Sequence, residues 1–222
     1  MPESILEVIA LSAADARAAT AGGADRLELV ADIGAQGLTP AVETFASVRA
    51  ATDLPVRVML RDHDGYALSA PDALTHAAAA LRSAGASEFV LGFLDEAGNV
   101  DLPAVTTVLA AIDGCSWTFH RAIDHAADRT AAWSALAGLP GLDGVLTAGS
   151  PKGVENGLGT LLTEASATPP LLVGGGLRQQ HLAPLRDAGV RAFHTGSAVR
   201  PGGSWNAPVD ADLVRLWRDA IG

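Results

Sequence analysis

Leu6-Glu7-Val8-Ile9-Ala10-Leu11, then Ser12 with an alanine-rich stretch that ends at Gly22-Gly23, then Arg26-Leu27-Glu28-Leu29-Val30: this stretch decides the fold. Two apolar runs of strand length flank one segment of helix length. Ser12 is placed to cap a helix over 13–21, and the two glycines are placed to stop it. Strand, helix, strand is a βα unit, and the same pattern recurs to the end of the chain. Further strand-like runs lie at 56–60, 88–93, 116–121, 144–149, 171–176 and 191–197, which with the first two makes eight. Their starts are 20 to 32 residues apart, enough for a strand, a crossover helix and two loops.

The intervening segments carry helix signals. Thr39-Pro40 followed by Glu43 predicts a helix start with proline in the first helical position. Ser69-Ala70-Pro71-Asp72 opens an alanine-rich segment ending at Gly85, and Asp101-Leu102-Pro103 opens a helix over 104–112. Asp128 opens 129–136, and a helix over 177–188 ends at Gly189. Eight such units without a linker rich in proline, serine or charge predict one domain over residues 1–222, a single-domain (β/α)8 TIM barrel. An open doubly wound sheet is the alternative. Because the chain is shorter than the roughly 250 residues typical of such barrels, a helix between 30 and 56 or after 153 is expected to be short or irregular.

Composition narrows the function. Forty-nine per cent of residues are hydrophobic, which excludes disorder, and aromatics are so few that alanine and aliphatic side chains must fill the core. Twenty-five acids against fifteen bases give a net charge of −10, and Lys152 is the sole lysine. Nucleic acid and anionic membranes both recruit clustered Lys and Arg, so neither is an expected partner. No run approaches the 18 or so apolar residues of a membrane span. Met1-Pro2-Glu3-Ser4 lacks the basic and apolar regions of a secretory signal, so a cytoplasmic location is expected. The single cysteine, Cys115, cannot supply a multi-thiolate metal site.

Charges inside the apolar strands point to the site. Glu7 sits in Leu-Glu-Val, Glu28 in Leu-Glu-Leu, Arg57 and Arg61 bracket Val-Met-Leu, His120-Arg121 closes Trp-Thr-Phe, and His194 follows Ala-Phe. The outer face of each strand must meet apolar helices, so these side chains are expected to point inward. The two-residue period sets Arg57, Met59 and Arg61 on one side, and Thr118 with His120. Glu7 and Glu28 read either as a buried ion-pair network with Arg57 or Arg61, or as a general base or ligand-orienting group. Ligands of such barrels bind at the strand C-termini, which favours Arg61, His120, Arg121 and His194 over the lower Arg57.

The loops after the last two strands carry Gly174-Gly175-Gly176-Leu177-Arg178 and Thr195-Gly196-Ser197. Glycines let backbone N–H groups approach an anion, so this pair of loops reads as a phosphate cradle, or else as tight turns. Lys152, in a Pro-Gly loop, reads as solvated rather than as a Schiff-base lysine. The acidic turn of Asp95, Glu96 and Asn99 with Asp101 reads as solvent-facing, with Asp95 near the rim.

Leu6-Glu7-Val8, the run from Gly23 to Leu29, Gly37-Leu38-Thr39-Pro40, Gly92-Phe93-Leu94-Asp95, Thr118-Phe119-His120-Arg121-Ala122-Ile123-Asp124 and Val145-Leu146-Thr147-Ala148-Gly149 together resemble the CutC copper homeostasis family, collinearly over about residues 5–199. Thr-Phe-His-Arg-Ala followed by Asp is the most specific block. The resemblance implies a (β/α)8 barrel, a cytoplasmic homodimer or higher oligomer, a part in copper tolerance and an enzyme-like site at the strand C-termini. Its matching polar positions are Glu7, Glu28, Arg61, His120, Arg121, Asp124 and His194. Family members proposed to bind Cu(I) carry cysteines just after the first two strands, where this chain has Ile9, Ala10 and Val30. Soft thiolates favour Cu(I), and here they are missing. The family's Arg-Pro-Arg-Gly-Gly becomes Arg61-Asp62-His63-Asp64-Gly65.

Two functions follow. In one, a copper-handling protein takes nitrogen ligands from His120, His194 and His63 with help from a carboxylate. In the other, an enzyme holds a small anionic or phosphorylated metabolite with Arg61 and Arg121, transfers a proton through His120 or Glu28, and binds phosphate on Gly174, Gly175, Gly176 and Ser197, with Glu7, Asp124 and His194 in the ligand site. Paired guanidiniums repel a cation and suit an oxyanion.

Overall fold

The computed structural model describes residues 4–222; Met1, Pro2 and Glu3, part of the N-terminal signal reading, lie outside the described residues. Eight parallel strands, β1 (Ile5–Ala10), β2 (Arg26–Leu29), β3 (Val56–Met59), β4 (Glu88–Leu91), β5 (Ser116–Phe119), β6 (Leu142–Thr147), β7 (Leu171–Val173) and β8 (Ala192–Thr195), pair in chain order, and β8 closes on β1. The helices are α1 (Ala13–Gly22), α2 (Val42–Arg49), α3 (Pro71–Ser83), α4 (Leu102–Ala111), α5 (Arg129–Leu136), α6 (Val154–Glu164), α7 (Leu182–Asp187) and α8 (Ala211–Ile221). The fold is the (β/α)8 barrel, and the open-sheet alternative is excluded by the β1–β8 pairing. No helix of the described residues is long and apolar enough to cross a membrane.

Capping follows the local chemistry. The Asp15 N–H donates to the Ser12 hydroxyl at the start of α1, and Asp101 and Asp128 accept from Ala104 and Ala131 at the starts of α4 and α5. Two expectations need correction. Pro40 does not begin a helix, because Thr39 is tied to the end of β3: its N–H and hydroxyl both meet Arg61 O at 3.0 Å, and its hydroxyl accepts the Arg61 N–H. That ties Thr39 to the end of β3, and α2 begins only at Val42. The helix read over 177–188 is broken into a 3-10 turn, Gln179–His181, and the six-residue α7. Pro184 has no N–H to continue a helix from the turn before it. The segment between β2 and β3 is irregular as expected, with a 3-10 turn at Ile33–Ala35 before the eight-residue α2, whereas α6 after Gly153 is a regular eleven-residue helix.

Alternation along the strands divides the core in two. Leu6, Val8, Leu27, Leu29, Val58, Phe89, Leu91, Trp117, Phe119 and Phe193 face the helices in one continuous apolar layer. The opposite positions fill the barrel, where Val30, Met59 and Val90 pack with Ile9, Leu11 and Ile33 as a small apolar plug. The ring closes tightly where α8 meets α1: a Cβ at Gly22 would stand 2.5 Å from Val214 Cβ. Beneath and above the plug the barrel is polar, and both polar layers bear on the site.

Candidate active site

At the N-terminal end of the barrel Arg57 is buried and fully engaged. Its Nε donates to Glu88 at 3.0 Å, its Nη1 and Nη2 donate to Asp143 at 2.6 and 2.5 Å, and Nη1 also meets the Thr118 hydroxyl. This corrects the expected pairing of Glu7 or Glu28 with Arg57 or Arg61. Arg57 faces acids at the starts of β4 and β6, whose partly exposed positions cost less to charge than deeper ones.

Glu7 and Glu28 bracket His194 instead. His194 Nδ1 lies 2.7 Å from Glu7 Oε1, and Arg26 Nε donates to Glu7 Oε2 at 2.5 Å. His194 Nε2 lies 3.8 Å from Glu28 Oε2, and Glu28 Oε1 is buried without a partner. Burial works against the Glu7 charge, but Arg26 and His194 outweigh it and hold the carboxyl well below the usual range. Glu28 has no such guanidinium bond, and burial, with the Glu7 charge adding to it, pushes its carboxyl up to about 7 despite His194. Burial also opposes the His194 charge, yet Glu28 and Glu7 together raise its pKa above the ordinary imidazole value.

His120 follows β5 and caps a 3-10 turn, Arg121–His125, in which the Ala122 N–H donates to His120 Nδ1 at 3.2 Å. A nitrogen that accepts cannot carry the proton, so the neutral ring holds its hydrogen on Nε2, which is buried and unpartnered. Burial, then the Arg61 and Arg121 charges, press the pKa down to about 3. Gly92 leaves the room for this ring: a Cβ there would come within 2.6 Å of His120 Nδ1.

Two arginines complete the rim. Arg61 Nε donates to Gly65 O at 3.0 Å and its Nη1 reaches the carbonyls of Ala35 and Gln36, while Nη2 is buried with no hydrogen bond. Its guanidinium lies 5.1 Å over the Tyr66 ring, which also packs edge-on to His120. Arg121 Nε donates to Asp124 at 2.9 Å. Asp124 itself accepts from Arg121, Arg129, Thr147 and the N–H groups of Ala148 and Gly149. With its side chain fully buried and spent on those partners, Asp124 fixes the rim from behind.

These groups meet at a cavity of about 280 Å³ in the barrel mouth. Of the residues singled out from sequence, Glu28, Arg61, His120, Arg121, Gly175, Gly176, His194 and Ser197 line it, whereas Glu7, Asp124 and Gly174 stand behind the wall. Gly175 and Gly176 have left-handed backbone, and their N–H groups meet no acceptor among the described residues. Gly174 spends its N–H on Thr147 O. The same glycines make room for site side chains, Gly174 for His194 and Gly175 for Arg121. Lys152 is exposed, Asp95 closes its own turn on Asn99, and His63 pairs with Asp62 off the cavity wall.

Sequence reasoning missed Tyr66, Gln36 and Trp205, which line the cavity from loops. Trp205 is held by Arg200, whose guanidinium lies 5.1 Å from the indole and donates to the buried Asp15 at 2.8 Å. The available signal was a tryptophan in a glycine-rich loop just after the last strand.

As a copper site the mouth is a poor match. Cys115 precedes β5, at the far end of the barrel, and Met59 is the one sulfur on the cavity wall among the described residues. Glu7, Glu28 and His194 do converge within 4.8 Å, but two carboxylates and an imidazole suit harder cations, and Arg26 and His194 already occupy Glu7. His120 would present N–H rather than a lone pair.

The CutC family model matches residues 4–199. A CutC family protein of Klebsiella pneumoniae strain 342 is 36% identical over 96% of this chain and 92% of its own, and one of Pectobacterium atrosepticum is 32% identical over 91% and 80%. Among solved structures, a Streptococcus agalactiae CutC assigned provisionally to copper homeostasis superposes with a TM-score of 0.78 at 20% identity, covering 87% of this chain and 98% of that one. A 3-hexulose-6-phosphate synthase gives 0.67 at 21%, covering 98% and 100%. At these identities the structural likeness speaks for the fold.

Proposed function

The chain belongs to the CutC family, and from that premise and the chemistry of its barrel mouth we propose that it is an acid–base enzyme acting on a small anionic metabolite. One observation carries this reading. Five buried side-chain polar atoms lack a hydrogen-bond partner among the described residues, and three of them, Glu28 Oε1, Arg61 Nη2 and His120 Nε2, belong to residues that line one cavity, although the exposed Asp64 carboxylate stands 3.6 Å from Arg61 Nη2. Buried polar groups left unpaired are costly, and a ligand is what would pair them. Arg61 and Arg121 attract the anion, Glu28 exchanges a proton at a pKa matched to neutral pH, and His120 donates a hydrogen bond from Nε2. Free N–H groups of Gly175 and Gly176 suit a phosphate or carboxylate oxygen. Copper tolerance, the role attached to the family's name, would here have to be indirect, since the donor set disfavours Cu(I).

The test pairs two titrations on purified protein: calorimetry with inorganic phosphate and with 2-oxobutyrate, and an anaerobic Cu(I) competition. The proposal expects anion binding that Arg61→Gln and Arg121→Gln each weaken, and no tight Cu(I) binding. Tight stoichiometric Cu(I) binding lost in the His120→Ala, His194→Ala double variant, with no anion bound, would overturn it.

A further inference from the structure

The groups on the cavity wall select among acid–base reactions, and this step rests on the acid–base reading above. Among the described residues Glu28 is the one carboxylate that lines the cavity, so they do not supply the pair of carboxylates that glycoside hydrolysis requires. No lysine lines the cavity for a Schiff base. Ser197 lines it, but both His194 nitrogens face carboxylates, Glu7 at 2.7 Å and Glu28 at 3.8 Å, so His194 is not placed as a base for the Ser197 hydroxyl. What the wall does offer is one base, one neutral N–H donor with its tautomer fixed from the backbone, and two guanidiniums.

We infer that the substrate is a small enolisable carbonyl compound bearing an oxyanion, and that the site removes and returns the proton on the carbon next to the carbonyl. Glu28 Oε1 takes the proton from that carbon. The C–H electron pair becomes the new C=C bond, and the carbonyl π pair moves to its oxygen, giving an enolate. His120 Nε2–H hydrogen-bonds the oxygen as charge develops there, without giving up its proton. Glu28 then returns the proton to the same carbon. Nothing is oxidised or reduced overall, and the base is regenerated.

Four features of the wall fit this division of labour. His194 Nε2 lies 3.8 Å from Glu28 Oε2, an ion-pair distance, and Glu28 Oε1 is buried with no hydrogen bond, so its lone pairs are uncommitted. The Ala122 N–H locks the His120 ring so that it acts as donor only. Arg61 and Arg121 anchor the oxyanion, and Ile9, Met59 and Leu146 supply an apolar wall beside it. A neutral donor suits an enolate because it stabilises the charge without protonating the oxygen and trapping the intermediate.

The oxyanion can be a phosphate or a carboxylate, and the test separates them. Wild-type protein is incubated in D2O with dihydroxyacetone phosphate or with 2-oxobutyrate. Loss of the proton signal next to the carbonyl is followed by NMR, and binding of the same two probes is measured by calorimetry. The expected result is exchange above the buffer rate with at least one probe, which also identifies the anion. Glu28→Gln should reduce the exchange about 100-fold or more. His120→Leu should reduce it by a similar factor, and His120→Gln, which restores an N–H donor, should recover part of the loss. Exchange unchanged in Glu28→Gln overturns the inference. Binding of the probes without exchange overturns enolisation and leaves the anion site standing, while no binding of either probe overturns both.

Discussion

The Arg121 guanidinium occupies the space a side chain at position 175 would need: a Cβ built on Gly175 comes within 2.8 Å of Arg121 Cζ and Nε. Gly175→Ala should therefore push Arg121 off the cavity wall. The left-handed backbone at this position (φ 85°) adds about 1–2 kcal/mol of strain. Calorimetry should show phosphate affinity reduced as in Arg121→Gln, and denaturant unfolding should show a stability loss for Gly175→Ala from the strained backbone.

Stability should respond to pH in two opposed ways. His120 is held down to about 3 in the folded protein against an ordinary 6.5. Between those values the unfolded chain binds the extra proton, so this group's contribution is lost as pH falls below 6.5, at about 1.4 kcal/mol per unit. Glu28 is pushed up to about 7 against 4.5. There the folded state binds the extra proton, so its contribution is lost as pH rises from 4.5 through 7. Urea unfolding from pH 5 to 8 should show a weaker acid-side decline in His120→Asn and a weaker loss toward neutral pH in Glu28→Gln.

Activity should carry the Glu28 signature separately. The base must be ionised, so proton exchange on a bound probe should rise as pH passes upward through about 7. His120 remains neutral throughout that range and adds no second limb.

Arg57 should matter to the fold and not to the ligand. Arg57→Ala strands Glu88 and Asp143, but both are partly solvated, so the cost should fall near 2 kcal/mol rather than at the upper end for fully buried pairs. Phosphate affinity measured below the unfolding transition should be unchanged.

Asp124→Asn tests the support behind the rim. The amide keeps the shape but loses the charge that engages Arg121 and Arg129 and loses acceptors for Thr147, Ala148 and Gly149. Stability should drop by about 3 kcal/mol, and anion affinity should weaken because Arg121 loses its Nε partner, without being abolished.

The barrel was legible because period-two runs separated by capped helices have one economical closure. Glu28, Arg61, His120, Arg121 and His194 were legible because a charge in an apolar strand must face inward, and strand ends face the mouth. Their partners were not. Glu88 and Asp143 are 31 and 86 residues from Arg57, and which acid crosses the barrel to a given arginine depends on strand register and tilt, which local pattern does not encode. Arg26 was not singled out because its partner is set by register: at the start of β2 it stands beside Glu7 of β1. Tyr66 and Trp205 lie on loops whose paths are fixed by tertiary contacts such as Arg200 with Asp15.

The proposed chemistry depends on the protonation state of His120, and long-range proton–nitrogen correlation spectra of the imidazole, recorded from pH 5 to 8, read it directly. The expected ring stays neutral throughout, with the proton on Nε2 and Nδ1 unprotonated. A ring that titrates near 6.5, or carries its proton on Nδ1, would contradict it, because the cavity would then present a cation or a lone pair where the proposed chemistry needs a neutral donor.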